Sequence, residues 1–169
     1  MQIFACGFTS GSLKVFDIEN TAVLYECRAF NQPISKICFI QNSSILVSMS
    51  VAGHLSLHDV GSEFIQIKVI KIDSPTIYSD LAVPIEDNIF ATIGPESNCV
   101  LVWNTTSYGL RNRIPITGNL VKKLNFVTSK IIGIILENGN VNFYSLLNFE
   151  GTLIKEMNYM HSGGTTLLN

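Results

Sequence analysis

The sequence predicts an all-β chain of about four repeated, four-stranded antiparallel units. Three observations predict it: a seven-residue motif that recurs at a nearly constant interval, turn residues at a fixed distance before each copy, and a composition rich in apolar and poor in charged residues. The motif is HLSLHDV (residues 54 to 60), with relatives SLKVFDI (12 to 18), CVLVWNT (99 to 105) and NVNFYSL (140 to 146). Aligned, the four copies stack Phe16, His58, Trp103 and Tyr144 in one column, 42, 45 and 41 residues apart. The position before the column holds Val15, Leu57, Val102 and Phe143, and the position three before it holds Leu13, Leu55, Val100 and Val141. Self-similarity at this interval marks a repeat architecture.

Each element of the unit follows from the alignment. Five residues before the column stand Gly11, Gly53, Asn98 and Gly139, types that tolerate positive φ and so predict a tight hairpin turn. Ahead of each turn runs an apolar strand: QIFACGF, SILVSMS, NIFATIG and IIGIILE. A further strand recurs upstream as ISKICFI, YSDLAVP and VKKLNFV, with apolar positions Ile34, Ile37 and Phe39, then Tyr78, Leu81 and Val83, then Val121, Leu124 and Phe126. A more polar fourth strand follows the column as AVLYECR, FIQIKVI, LRNRIPI and TLIKEM. Four strands every forty-odd residues is the arithmetic of a β-propeller blade. Inner strands covered on both faces read as almost wholly apolar, and a rim strand carries Lys68, Arg111, Arg113 and Lys155.

The expected units are residues 1–30, lacking a first strand, then 31–72, 73–117 and 118–158, with 159–169 opening a further unit. Fewer than four complete blades predict part of a larger propeller, packed against further blades of the same protein. The alternative is a small closed ring in which the terminal GTTLLN supplies the missing first strand.

Composition excludes several function classes. Hydrophobic residues make up 47% and charged residues 14% of the 169, with a formal net charge of −2. A nucleic-acid binder needs a basic surface to displace counterions, and none is available in bulk. No stretch has the length or apolarity of a membrane span or a signal peptide, so no membrane association is expected. Cys6, Cys27, Cys38 and Cys99 are far apart and form no CxxC pair, which predicts a reducing, intracellular compartment and no zinc site. Asn42-Ser43-Ser44 and Asn104-Thr105-Thr106 match the glycosylation acceptor pattern by chance in such a compartment.

Two histidines and an aspartate within HLSLHDV invite a metal or catalytic reading. Strand periodicity separates them: His54, Ser56 and His58 share one face, and Leu55, Leu57 and Asp59 the other. His58 fills the slot of Trp103, which predicts packing between blades with a ring nitrogen hydrogen-bonded. No GxSxG, HExxH or P-loop pattern occurs, and no cofactor, metal or catalytic residue is expected.

The strand endings VFDI, LHDV and VWNT resemble the WD-repeat family of β-propellers, with Asp17 and Asp59 matching the aspartate and Trp103 the tryptophan of its signature dipeptide. The resemblance runs from residue 2 to about 157. In that family an aspartate before the turn glycine builds a polar network; here Ser10, Ala52, Ser97 and Asn138 occupy the position, so the blades are expected to rely on apolar packing. ACGFTSGSLKVFDIENTAVLYE, LAVPIEDNIFATIGPESNCVLVWN and GTLIKEMNYMHSGGTTLLN are further similar to the long WD-repeat proteins of the centriole wall and ciliary base. This implies a cytoskeletal scaffold with protein partners among microtubule or centriole components, localised in the cytoplasm at centrioles or the cilium base. The microtubule-binding module of those proteins has no counterpart here.

A non-enzymatic interaction module is thus the expected function, with a generic intracellular WD-repeat adaptor as its alternative and a propeller-based hydrolase as the competing class. Propellers bind through loops carried on packed strands. The candidate partner-binding residues are those near the second-to-third-strand hairpins: Thr9, Ser10, His54, Glu96, Ser97, Asn98 and Asn138. The basic run Arg111, Arg113, Lys122 and Lys123 at the third-to-fourth junction suits an acidic partner or a solvated rim.

Overall fold

The structure is a computed structural model and describes residues 2–40 and 43–158. Four antiparallel sheets follow one another in chain order. The first holds β1 (Ile3–Gly7), β2 (Ser12–Asp17) and β3 (Val23–Arg28); the second holds β4 (Ile34–Phe39), β5 (Ile45–Ser50), β6 (Leu55–Asp59) and β7 (Ile65–Ile70). The third holds β8 (Leu81–Ala82), β9 (Ile89–Ile93), β10 (Cys99–Asn104) and β11 (Leu110–Pro115). The fourth holds β12 (Val121–Thr128), β13 (Ile131–Leu136), β14 (Val141–Ser145) and β15 (Thr152–Met157). Among the described residues the only helical turn is Pro95–Ser97. This is the all-β, partial WD-like propeller that the repeat predicts, with its first blade one strand short. The terminal GTTLLN, the alternative source of the missing strand, lies outside the described residues.

Burial follows the expected layering. Every residue of β5 and of β9 is buried, whereas every residue of β15 is exposed. Three apolar layers lie between consecutive blades: Ala5, Leu13 and Val15 meet Leu46; Val47, Leu55 and Leu57 meet Leu81 and Phe90; Ala91, Val100 and Val102 meet Ile132 and Ile134. Each such Val, Leu, Ile or Phe side chain removed from water contributes about 1.5–3 kcal/mol, so strand patterning and blade stacking are one energetic fact.

The column is also a geometric repeat. In all four blades the pairing of third and fourth strands slips by one residue at the column, between Val15 and Phe16, Leu57 and His58, Val102 and Trp103, and Phe143 and Tyr144. A bulge there increases local twist and re-aims the side chain that follows it. His58, Trp103 and Tyr144 thereby pack on the preceding blade: His58 against Tyr25, Trp103 within the layer of Val47 and Leu57, and Tyr144 within the layer of Ala91 and Val102.

Two findings depart from the sequence reading. The first strand of the third blade, expected across Tyr78 to Val83, shrinks to Leu81–Ala82. The Tyr78 N–H donates to Ser97 Oγ at 2.8 Å instead of to a ladder, and Pro84 has no N–H to donate. Second, Asn98 does not carry positive φ (−101°), although Gly11, Gly53 and Gly139 do. Five residues separate the last paired positions in the other three hairpins, Gly7 and Leu13, Met49 and Leu55, Ile135 and Val141, and six separate Ile93 from Val100. The longer turn places its left-handed residues at Glu96 and Ser97 instead.

Polar pairing inside the layers is richer than apolar packing alone. Trp103 Nε1–H donates to Thr92 Oγ1 at 3.0 Å, and Ser48 Oγ lies 3.2 Å from His58 Nε2. Thr92 and Ser48 sit at the same place, two residues beyond Phe90 and Leu46, the strand partners of Trp103 and His58. The equivalent positions beside Phe16 and Tyr144 are Cys6 and Ile134. The blades whose column residue carries a ring nitrogen are thus the blades that supply a hydroxyl to it, as buried polar atoms require.

Candidate functional site

The fold leaves two kinds of place where chemistry could occur: polar groups inside the blade layers, and the loops at the hairpin end. Inside, the most concentrated group is His58 with Tyr25, Cys27 and Ser48. Tyr25 Oη and Cys27 Sγ lie 3.2 and 3.8 Å from His58 Nδ1. His58 is fully buried, and that desolvation lowers its pKa to about 4. Burial likewise raises the Tyr25 hydroxyl and the Cys27 thiol. All three groups are held neutral at pH 7, so His58 is a poor base and Cys27 a poor nucleophile. The cluster packs blades together, as the alignment of His58 with Trp103 predicts.

A second buried group escaped the sequence reading. Asp80, 3% exposed, precedes β8 on the innermost side of the third blade. One carboxylate oxygen pairs with Lys36 Nζ of β4, and the other accepts the Leu124 N–H of β12 at 2.7 Å. A single side chain therefore ties the innermost strands of three consecutive blades. The signal for it was in the alignment: the position before Ile37, Leu81 and Leu124 reads Lys36, Asp80 and Lys123, alternating in charge. Among the described residues no group of three His, Cys, Asp or Glu side chains is arranged to hold a metal ion.

The hairpins carrying the predicted partner-binding residues all point to one end of the blades, since each joins the second to the third strand of its sheet. The connections between blades reach the same end. Glu96 N–H donates to Pro75 O at 3.2 Å, and Tyr78 Oη donates to Glu137 Oε1 at 2.7 Å. This Glu137 contact places Tyr78 hydroxyl ionisation above its usual range.

Two open clefts divide this end. One, of about 620 Å³, brings Asn98 and Asn138 together with Asn119, Leu120 and Glu137. Lys122 and Lys123 line the adjoining groove with Asn138. The other cleft, of about 470 Å³, lies between the first two blades and holds His54 with Arg28, Asn31, Gln32, Val69 and Lys71. His54 is half-buried, and its Nδ1 accepts the Ile72 N–H at 3.1 Å, which leaves Nε2 to carry the ring proton. Thr9, Ser10 and Glu96 are exposed at turn tips, with Ser10 Oγ accepting the Ser12 N–H at 3.3 Å.

Two expectations are corrected here. Ser97 is fully buried, and its hydroxyl is committed to the Tyr78 backbone, so it shapes the third hairpin and does not face a partner. The basic run splits: Arg111 pairs with Asp87 at 3.4 Å near the opposite end of the strands, while Lys122 and Lys123 stay with the hairpin-end groove. The residues that sequence reasoning missed at this end are Arg28 and Lys71, which belong to the polar outer strand and the connection after it.

At the other end, the matches to the family's aspartate close turns. Asp17 accepts from Glu19 N–H and Asn20 Nδ2 at 2.9 Å, and Asp59 accepts from Gly61 N–H at 2.8 Å. The Asn20 side chain for Asp17, and the Gly61 backbone for Asp59, hold these carboxyls below the ordinary range. Asn104 does the same for Thr106 N–H, so the acceptor-like tripeptide at 104 is folded into a turn with Thr105 buried. The four cysteines are free thiols, and among the described residues no helix is long and apolar enough to cross a membrane.

No protein-family model matches the sequence. The chain is 26% identical over 123 residues to WD repeat-containing protein 90 of Xenopus tropicalis, a match that covers 69% of this chain and 6% of that protein. Together with four consecutive blade-like sheets, this similarity supports a WD-repeat relationship.

Proposed function

We propose that the chain is a non-enzymatic protein-interaction scaffold that docks partners on its hairpin end. The observation that carries this reading is the division of labour within each blade: strand faces are consumed by packing against neighbouring blades, while the hairpin end presents polar side chains around two open clefts. Rigid strands with variable loops are a binding platform. Arg28 and Lys71 beside His54, and Lys122 and Lys123 beside Asn138, favour acidic segments of a partner. The finer reading is a cytoskeletal component of centrioles or the cilium base that meets microtubule-associated structures. It rests on the segments around ATIGPES and GTLIKEM described above.

Proximity labelling in ciliated cells tests both levels, using the native protein and an Arg28→Glu/Lys71→Glu variant. A set of neighbours lost in the variant, with its fold intact by circular dichroism, supports docking at this end. Identical neighbours for both proteins refute it. Neighbours that are lost but are not centriolar leave the scaffold standing and overturn the finer reading.

A further inference from the structure

We propose that the cleft between the first two blades takes a phosphorylated serine or threonine side chain of a partner protein. This rests on the docking of partners at the hairpin end, and it names what that cleft recognises. Three donor side chains meet there from three separate segments: Arg28, the last residue of β3; His54, just ahead of β6; and Lys71, just after β7. Among the described residues no acidic side chain lines the cleft, and none of the ion pairs involves Arg28 or Lys71.

Main-chain bonds fix the walls. The connection that carries Asn31 and Gln32 is held by the first hairpin, where Ala29 N–H donates to Gly11 O at 3.0 Å and Ile34 N–H to Phe8 O at 3.1 Å. The second hairpin holds it from the other side, through Val51 N–H donating to Pro33 O at 3.0 Å. The connection that begins at Lys71 is pinned in turn, by Ile72 N–H on His54 Nδ1 at 3.1 Å and Thr76 N–H on Ala52 O at 3.4 Å. Because Nδ1 accepts, the remaining donor of the His54 ring is Nε2–H, and its tautomer is set by the fold. A site whose parts are already in place loses less to ordering when a ligand arrives.

Charge and donor count select phosphate over carboxylate. A phosphoserine carries a charge of about −1.5 to −2 at pH 7 and three strong acceptor oxygens. A glutamate carries a single charge on two oxygens. Arg28 and Lys71 supply two full positive charges, and the His54 N–H adds a neutral donor, which matches the phosphate on both counts. Asn31 and Gln32, both exposed at the rim, suit the main chain on either side of the modified residue. The cleft volume of about 470 Å³ fits one such side chain with its neighbours.

The test passes the purified whole chain over immobilised random-sequence peptide pools that carry phosphoserine, serine or glutamate at one fixed central position. A phosphopeptide recovered from the first pool is then titrated in solution while the His54 ring nitrogens are followed by NMR. The phosphoserine pool should retain the protein, the serine pool should not, and the glutamate pool should bind about tenfold more weakly or worse. Arg28→Gln and Lys71→Gln should each weaken the phosphopeptide about tenfold or more, and the Nε2 resonance of the native protein should shift saturably. That last readout needs no substitution and so stands apart from any folding defect. Equal retention by phosphoserine and glutamate pools overturns the proposal and leaves docking at the hairpin end intact. Phosphopeptide binding that ignores both substitutions, or that leaves the His54 ring unshifted, places the phosphate elsewhere and overturns it too. So does tighter binding to phosphatidylcholine vesicles containing phosphatidylinositol 4-phosphate than to any peptide pool. Retention by no pool refutes phosphate recognition, while the proximity-labelling comparison decides the docking reading separately.

Discussion

Replacing Asp80 by alanine removes a side chain that touches the innermost strands of three blades, and its cost can be built from the parts. The Leu124 N–H is buried and loses its acceptor, a loss of about 1–3 kcal/mol. The Lys36 side chain is 40% exposed, so its ammonium regains water, and the ion pair itself adds only about 0–1 kcal/mol. The sum, about 1–4 kcal/mol, corresponds to a fall of roughly 2–16 °C in Tm for a chain of this size. Asp80→Asn keeps an oxygen for Leu124 and loses only the charge, so it should cost no more than about 1 kcal/mol. Urea and thermal unfolding followed by the fluorescence of Trp103, the one tryptophan, reads both variants from within the second-to-third blade layer. If alanine and asparagine prove equally mild, the carboxylate is not a tie across blades and the reasoning fails.

Acidification should destabilise the fold through His58. Its pKa falls from 6.5 to about 4 on folding, so the unfolded chain binds the proton first; stability is full above pH 6.5 and is lost as pH falls toward 4, by about 3 kcal/mol in all. Urea midpoints across that window should flatten in His58→Gln, and an unchanged slope would assign the loss to other groups. Thr92→Val strands the Trp103 Nε1–H and should cost about 1–3 kcal/mol in the same unfolding assay, whereas Ile134→Val, at the equivalent place beside Tyr144, should stay near 1 kcal/mol. Gly139→Ala meets no atom within 4 Å and bears only the left-handed backbone, about 1–2 kcal/mol. Gly11→Ala adds a collision with the Phe30 and Gln32 carbonyl oxygens, the latter at 2.7 Å, and should lower Tm at least twice as far.

What could be read from the sequence was whatever repeats, and what could not was whatever one blade does alone. The column of Phe16, His58, Trp103 and Tyr144 was visible because all four occupy one position after one bulge, and strand order and layer composition came with it. Asp80 is not legible from periodicity because its neighbours in the repeat, Ile37, Leu81 and Leu124, carry the apolar pattern, although its own partners stand one repeat away on either side. The third hairpin failed for the opposite reason: one inserted residue moved the left-handed backbone from Asn98 to Glu96 and Ser97, and Ser97 then turned inward. Of the partner-binding candidates, Asn98 and Asn138 converge on one cleft and His54 lines another, yet Arg28 and Lys71 could not be placed there by periodicity. They sit where an outer strand runs into a connection, and connections are where the repeats differ most.

This division explains why the polar pairs of the layers differ from blade to blade while the fold does not. A ring nitrogen buried in a layer costs free energy unless a hydroxyl accompanies it, so Trp103 comes with Thr92 and His58 with Ser48. Phe16 and Tyr144 impose no such demand on Cys6 and Ile134. Tyr144 is only half-buried, so its hydroxyl is not enclosed in the layer as the His58 ring is. The second and third blades thus supply a hydroxyl to their own column ring nitrogen through the strand beside it, while His58 Nδ1 and the Asp80 carboxylate also meet polar groups of neighbouring blades. Because the strand faces are committed to these layers, the hairpin end is left free to carry a different set of polar side chains on each blade.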